Sequence, residues 1–166
     1  EAYAVAKIAG IKLCEFYNQQ YKLNYLSLMP TNVYGPNDNY DLLRSHFLPA
    51  LINKIHNAKI ENKKNIILWG NGKSKREVLY VDDLADAVVF FMRKKTKHSL
   101  INIGTGLDMT IKKYAYKIMK VVNYKTSIKF DKTKPNGTFR KTLDVSLAQS
   151  YGWQNKTSLL TGLKKT

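Results

Sequence analysis

Residues 25–36 read YLSLMPTNVYGP, and residues 2–21 before them read AYAVAKIAGIKLCEFYNQQY. This pair of stretches decides the fold. Tyr25–Met29 is a short apolar run of the kind that makes a strand buried on both faces. Pro30 to Pro36, PTNVYGP, then reads as a loop at the strand's carboxyl end, because two prolines and a glycine break regular pairing. The preceding segment carries Val5, Ala9, Leu13 and Phe16 on one stripe and Ile8 and Ile11 on another. A helix with two apolar faces is expected to be covered on both, by a sheet and by a partner helix.

The same alternation continues along the chain. Ser45 is a candidate cap for a helix bearing Leu48, Leu51, Ile52 and Ile55, with Pro49 in the first turn, where a missing N–H costs least. Ile66–Leu68 reads as a strand followed by a Gly70-Asn71-Gly72 turn, and Glu77–Val81 as another extended piece. Asp82 or Asp83 is expected to cap a helix with Leu84, Ala87, Val88 and Phe91 on one side, and Lys94 and Lys95 at its end suit the helix dipole. Leu100–Ile103 is a strand closed by Gly104-Thr105-Gly106. Thr110 caps a helix with Ile111, Tyr114, Ala115, Ile118 and Val122. Ser127–Phe130 is extended, 131–141 is a polar loop, a short helix spans Ser146–Tyr151, and a last helix begins near Ser158. Strands alternating with helices imply an α/β protein built on a parallel sheet.

Composition narrows the classes. The 166 residues are 44% hydrophobic, which excludes a disordered or collagen-like chain. No run approaches the roughly 20 apolar residues of a membrane-spanning helix. The single cysteine, Cys14, excludes an internal disulfide and a multi-cysteine zinc site, and a cytoplasmic setting is the natural inference. Cys14 itself reads as a packed thiol. The net charge is +16, but only Arg44, Arg76, Arg93 and Arg140 among the 28 basic residues are arginines. Dispersed lysines without arginine clusters argue for a solvated basic surface rather than a nucleic-acid reader.

Tyr3 and Lys7 are one helical turn apart and share a face. An ammonium beside a phenol suits it to give and take a proton at a carbonyl or hydroxyl oxygen. The loop after the next strand stands where open α/β sheets bind ligands. In order, the chain shows YAVAKIAGIKLCEFYNQQY, MPTNVYGPNDNY, SHFLPALI, LWGNGKSKREVLYVDD, INIGTG and KPNGTFRKTLDV. This ordered set resembles the extended short-chain dehydrogenase/reductase family that works on nucleotide sugars, and the resemblance covers the whole chain.

The resemblance implies the second half of a Rossmann-type doubly wound parallel sheet plus a smaller α/β substrate-binding domain. Residues 1–36, with 80–106 returning to it, would belong to the dinucleotide-binding domain, whose first half would be absent. Residues 37–79 and 107–166 would form mainly the substrate-binding domain. It further implies NADPH as cofactor, a GDP-sugar as substrate, and a homodimer in the complete enzyme. The implied reaction converts GDP-4-keto-6-deoxymannose to GDP-L-fucose by epimerisation at C3 and C5 and reduction at C4. Tyr3 matches the catalytic tyrosine, Lys7 its partner at the nicotinamide ribose, and His46 the acid of the epimerisation steps. Pro30, Thr31, Asn32 and Val33 match the loop beside the nicotinamide, so that Tyr3, Lys7 and His46 with this loop make up the cofactor side. Lys54, Trp69, Arg76 and Asn136 match positions that hold the GDP-sugar. Asn136 stands where the family often has an aspartate.

Physical chemistry supports these types. Epimerisation beside a ketone needs proton removal and return on the opposite face. An imidazole can hold a proton near neutral pH, a guanidinium offers a planar fork to a pyrophosphate, and an indole offers a flat face. The chain has no G-x-x-G-x-x-G phosphate cradle, and the family's active-site serine and cysteine fall upstream of Tyr3. The chain alone is therefore expected not to turn over substrate. A nucleotide-sugar 4-epimerase or 4,6-dehydratase would keep Tyr3 and Lys7 without needing His46. A basic nucleic-acid-binding module is the distant alternative, resting on net charge alone.

Overall fold

The computed structural model describes residues 2–42 and 44–166. Helix α1 (Ala2–Tyr21) forms as its apolar periodicity requires. Its covering does not match expectation. No residue of α1 is buried, and Val5, Ile8, Leu13 and Phe16 are exposed. Its inner contacts are few: Asn18 exchanges hydrogen bonds with the main chain of Tyr25, and Glu15 accepts from Ser99.

Strand β1 (Ser27–Pro30) leads directly into β2 (Asn32–Tyr34), where the sequence suggests a loop. The two strands belong to different sheets. β1 pairs in parallel with β5 (Leu100–Ile103), from Ser27 opposite Leu100 to Pro30 opposite Ile103. β2 pairs in parallel with β4 (Lys75–Tyr80), from Asn32 opposite Val78 to Tyr34 opposite Tyr80. Thr31 is the single residue between them. It is buried, its N–H donates to the Ile103 carbonyl at 2.9 Å, and its hydroxyl lies 3.4 Å from the Glu77 carbonyl. A strand of three residues has no local signature; its partner 46 positions away specifies it.

β4 is also flanked by β6 (Asp108–Thr110), antiparallel, and β8 (Arg140–Lys141), parallel. Asp108 ties these together, accepting from Arg140 and Thr142. A separate parallel pair joins β3 (Asn65–Trp69) to β7 (Ser127–Asp131). Both short strands β6 and β8 lie in stretches without a strand pattern in the sequence.

The capping expectations divide. Thr110 caps α4 (Ile111–Val121), accepting from Lys113 N, and Ser158 caps α6 (Leu159–Lys165), accepting from Thr161 N. Helix α2 (Phe47–Ile60) is instead capped at position His46, not Ser45, and no side chain takes part. Helix α3 (Val81–Met92) has its cap position at Tyr80, which places Asp82 and Asp83 inside the first turn rather than at the cap. Asp83 is buried and accepts from Thr157 N at 3.0 Å, Thr157 Oγ1 at 3.1 Å and Lys156 N at 3.3 Å, so it fastens the chain ahead of α6.

Two hydrophobic clusters result. One gathers Leu48, Leu51 and Ile55 of α2, Ile66 and Leu68 of β3, Tyr114 and Ile118 of α4, and Leu163 of α6. The other gathers Leu79, Ile101 and Ile103 of the strands, Ala87 and Phe91 of α3, and Ala148 and Trp153 at α5 (Ser146–Ser150). β4 contributes to both, since Val78 and Tyr80 face the first cluster and Leu79 the second.

Candidate active site

The point where β1 gives way to β2 is where two sheets diverge, and a cleft of about 920 Å³ opens there. That is near the upper end of the roughly 300–1,000 Å³ usual for ligand pockets. Met29 to Asp38 form its floor, Tyr3, Lys7 and Ile11 of α1 line one side, and His46, Val81, Lys141 and Leu143 close the rest. Thus Tyr3, Lys7, Pro30, Thr31, Asn32, Val33 and His46 meet at one cavity although they are spread along the chain from position 3 to position 46.

Helical geometry stacks the Lys7 ammonium 5.4 Å from the centre of the Tyr3 ring. Tyr3 is 77% exposed, so its hydroxyl is open to a ligand. Asn32 lines the cleft, and its Nδ2 donates to the Glu77 carbonyl at 2.9 Å. His46 is exposed, and its imidazole plays no part in capping α2. Tyr34, at the end of β2, is different: burial, with Asp83 and Tyr80 adding, pushes its phenol well above the usual range and keeps it neutral.

The residues matched to sugar-nucleotide binding stand outside this cleft, around the 134–138 loop and the end of β3. Trp69 is 60% exposed, with the Lys134 ammonium 5.8 Å from its ring. Arg76 Nη1 donates to the carbonyls of Lys75 at 2.7 Å and Thr138 at 2.6 Å, and Tyr114 Oη donates to the Arg76 carbonyl at 2.9 Å. Burial pushes the Tyr114 phenol upward. Asn136 Oδ1 accepts from Asn71 N at 2.8 Å, and its carbonyl accepts from Ser74 Oγ at 2.7 Å, so the residue clamps the turn after β3. Lys54 lies in a second groove of about 440 Å³ with Lys63, Lys64 and Asn65. Its Nζ donates to the Ile67 carbonyl at 3.0 Å, and burial pulls its pKa down.

Lys141 and Leu143 were not singled out in the sequence, although both fall within the quoted KPNGTFRKTLDV stretch. β8 brings Lys141 beside Arg76. Among the described residues no cluster of His, Cys, Asp or Glu could hold a metal ion, and no helix is long and apolar enough to cross a membrane.

The donor set suits a nicotinamide ribose: a lysine and a tyrosine for hydroxyls, beside Leu28, Pro30 and Val33 as an apolar surface for a flat ring. Residues 1–104 match the NAD dependent epimerase/dehydratase family. The chain belongs to that family. Among curated members it is 47% identical over its whole length to GDP-L-fucose synthase of Escherichia coli (strain K12), of which the match covers 54%. The chain therefore spans about half the length of the curated relatives it matches. Among solved structures, a GDP-L-fucose synthetase from Naegleria fowleri bound to NADP superposes with a TM-score of 0.88 and 28% identity, covering 99% of this chain and 54% of that one. A GDP-mannoheptose C4 reductase from Campylobacter jejuni with NADP bound gives 0.83 and 34%, covering 97% and 57%. This epimerase/dehydratase chain thus shares its α/β architecture with proteins solved with a nicotinamide cofactor.

Proposed function

We propose that this chain is the carboxyl-terminal half of an NADPH-dependent GDP-sugar epimerase/reductase that converts GDP-4-keto-6-deoxymannose to GDP-L-fucose. The observation that carries the reading is the convergence of Tyr3, Lys7, Pro30–Val33 and His46 on one cleft, in a chain 47% identical to a curated GDP-L-fucose synthase.

The residues perform the chemistry as follows. NADPH, when bound, supplies the hydride that reduces C4. Tyr3 delivers a proton to the C4 oxygen as that carbon is reduced, so that the ketone becomes a hydroxyl. Lys7 holds the ribose hydroxyls and stabilises negative charge on the tyrosine oxygen. Before reduction, His46 returns a proton to the carbons beside the ketone after each has lost one to a base. Pro30, Thr31, Asn32 and Val33 keep the nicotinamide face dry and oriented. Trp69, Arg76 and Asn136, beyond the cleft, and Lys54, in the neighbouring groove, hold the GDP portion in this reading; the spare guanidinium donors of Arg76 suit a pyrophosphate.

We assign the cluster around β5 and α3 to the dinucleotide-binding domain and that around α2, α4 and α6 to the substrate-binding domain; α5, expected with 107–166 in the second, packs with the first. The separation of the two buried clusters supports this. The exposed apolar residues of α1 would be covered by the rest of the dinucleotide-binding domain and by a second copy in a homodimer. A cytoplasmic enzyme is consistent with its single cysteine.

The test joins this chain to the first half of the Escherichia coli relative and supplies GDP-4-keto-6-deoxymannose with NADPH. The expected result is NADPH oxidation with GDP-L-fucose as product, and none from the chain alone. A C4 alcohol formed with NADPH oxidation but without C3 and C5 inversion would replace the reading with a simple C4 reductase, and absence of any NADPH oxidation would favour a 4-epimerase or 4,6-dehydratase.

A further inference from the structure

Glu77 has no role in the mechanism above, yet it is the most enclosed charged side chain among the described residues, at 0% exposure. A buried carboxylate is costly unless its charge is met. Among the described residues Glu77 forms no ion pair. Main-chain N–H groups meet the charge instead. Oε1 accepts from Thr105 N at 2.6 Å and Gly106 N at 2.8 Å, and Oε2 accepts from Leu143 N at 2.8 Å. Gly106, at φ +69°, closes a turn whose successive N–H groups point the same way, an arrangement suited to an anion.

The same residue also acts through its main chain. Its carbonyl accepts from Asn32 Nδ2 at 2.9 Å and lies 3.4 Å from Thr31 Oγ1. Glu77 therefore touches three segments distant in sequence: 31–32, 105–106 and 143. Thr31, Asn32 and Leu143 all line the cleft.

We propose that Glu77 is a positioning residue that holds the Pro30–Val33 wall and the Lys141–Leu143 wall of the cleft in one fixed relation, so that a GDP-sugar resting on the second wall meets Tyr3 beside the first. This rests on the reading of the cleft as the place where the sugar end of the GDP-sugar meets Tyr3 and the nicotinamide. The side chain and the carbonyl do separable work, which makes the proposal testable.

In the joined enzyme described above, Glu77→Gln keeps the carbonyl and one side-chain oxygen for Thr105 and Gly106. Its amide NH₂ then faces the N–H of Leu143, donor against donor, and the 141–143 wall is released. The expected result is a KM for GDP-4-keto-6-deoxymannose raised about tenfold, the equivalent of one ordinary hydrogen bond. The kcat stays within about twofold and NADPH affinity is unchanged. Amide exchange at Leu143 accelerates while that at Thr105 stays slow. Wild-type KM, or a loss confined to kcat with unchanged KM, overturns the proposal.

If the variant does not fold, the unsubstituted enzyme decides. On addition of GDP, exchange at residues 31–32, 105–106 and 143 should slow together; slowing at 143 alone overturns the proposal. Turnover by the unsubstituted enzyme is measured first. Its absence sinks the functional reading, while the exchange measurement still judges Glu77.

Discussion

Gly104→Ala should destabilise this fold far more than a methyl group ordinarily does. Gly104 follows β5 directly and has no positive φ, so alanine can adopt the backbone without strain. The cost arises from space. A Cβ there falls on Glu77 Oε1, with Glu77 Cδ at 3.1 Å and Val145 Cγ1 at 3.3 Å behind it. The carboxylate cannot retreat into solvent, because it is fully enclosed. It must swing away from Thr105 N and Gly106 N, which it now holds at 2.6 and 2.8 Å. Hydrogen bonds to a charged group contribute about 1.5–3 kcal/mol each, so losing both costs about 3–6 kcal/mol. That is a large share of the roughly 5–15 kcal/mol that keeps a domain folded. Urea unfolding followed by circular dichroism measures it, with Gly10→Ala as control. Gly10 sits inside α1 with nothing within 4 Å, and alanine there should stabilise by about 0.5–1 kcal/mol. A Gly104→Ala variant within about 1 kcal/mol of the parent would refute the claim that the turn is built around the Glu77 carboxylate.

Tyr3→Phe in the joined enzyme should cut the reduction rate by about 10²–10⁴-fold and leave the melting temperature in place, because the hydroxyl is exposed; a rate within threefold of the parent, about 0.7 kcal/mol, counts against Tyr3 as the proton donor. Asn136→Ala removes the acceptor for Asn71 N and should cost about 0.5–1.5 kcal/mol in urea unfolding, whereas no change would mean that the turn after β3 does not need its clamp. Acid should destabilise the fold through four aspartates held below the usual carboxylate range. Asp108 is held by the Thr142 hydroxyl and then Arg140, Asp86 by Lys156, Asp131 by Thr133, and Asp144 by Ser146 N. Because folding depresses these values, their contribution is complete above the unfolded value near 4 and is lost as pH falls through the folded ones. Melting temperature should therefore be flat from about pH 7 to 5 and drop below about pH 4; a rise on acidification would contradict the sign.

The long elements could be read in advance because their signals are local. Thr110 ahead of Ile111, Tyr114 and Ile118 marks a start and a face within nine residues. β1, β3, β5 and β7 each carry a short run of apolar or alternating residues. β2, β6 and β8 have no such signal: each is two or three residues long and exists because β4 offers it an edge. Glu77 was illegible for a related reason. Within KREVLY an acidic residue looks like a surface position, and only the distant N–H groups of Thr105, Gly106 and Leu143 make burial affordable. Periodicity did identify α1 correctly, but not the exposure of both its faces. The cleft itself follows from a chemical pairing, Tyr3 with Lys7, that could be seen in sequence. The placement of Lys54 in a separate groove depends on how α2 lies against β3, which no motif encodes.

The switch at Thr31 limits how this cleft can vary in evolution. β1 is locked in step with β5 and β2 in step with β4, and one residue separates the two registers. Side chains alternate along a strand, so inserting or deleting a single residue here would invert the faces of β2. Tyr34 would leave its buried place against Tyr80, and Asn32 would lose the Glu77 carbonyl. The floor of the cleft can therefore diversify by substitution but not by length, whereas the loops at 37–42 and 132–139, outside any strand ladder, are where new specificities can be grown by adding residues.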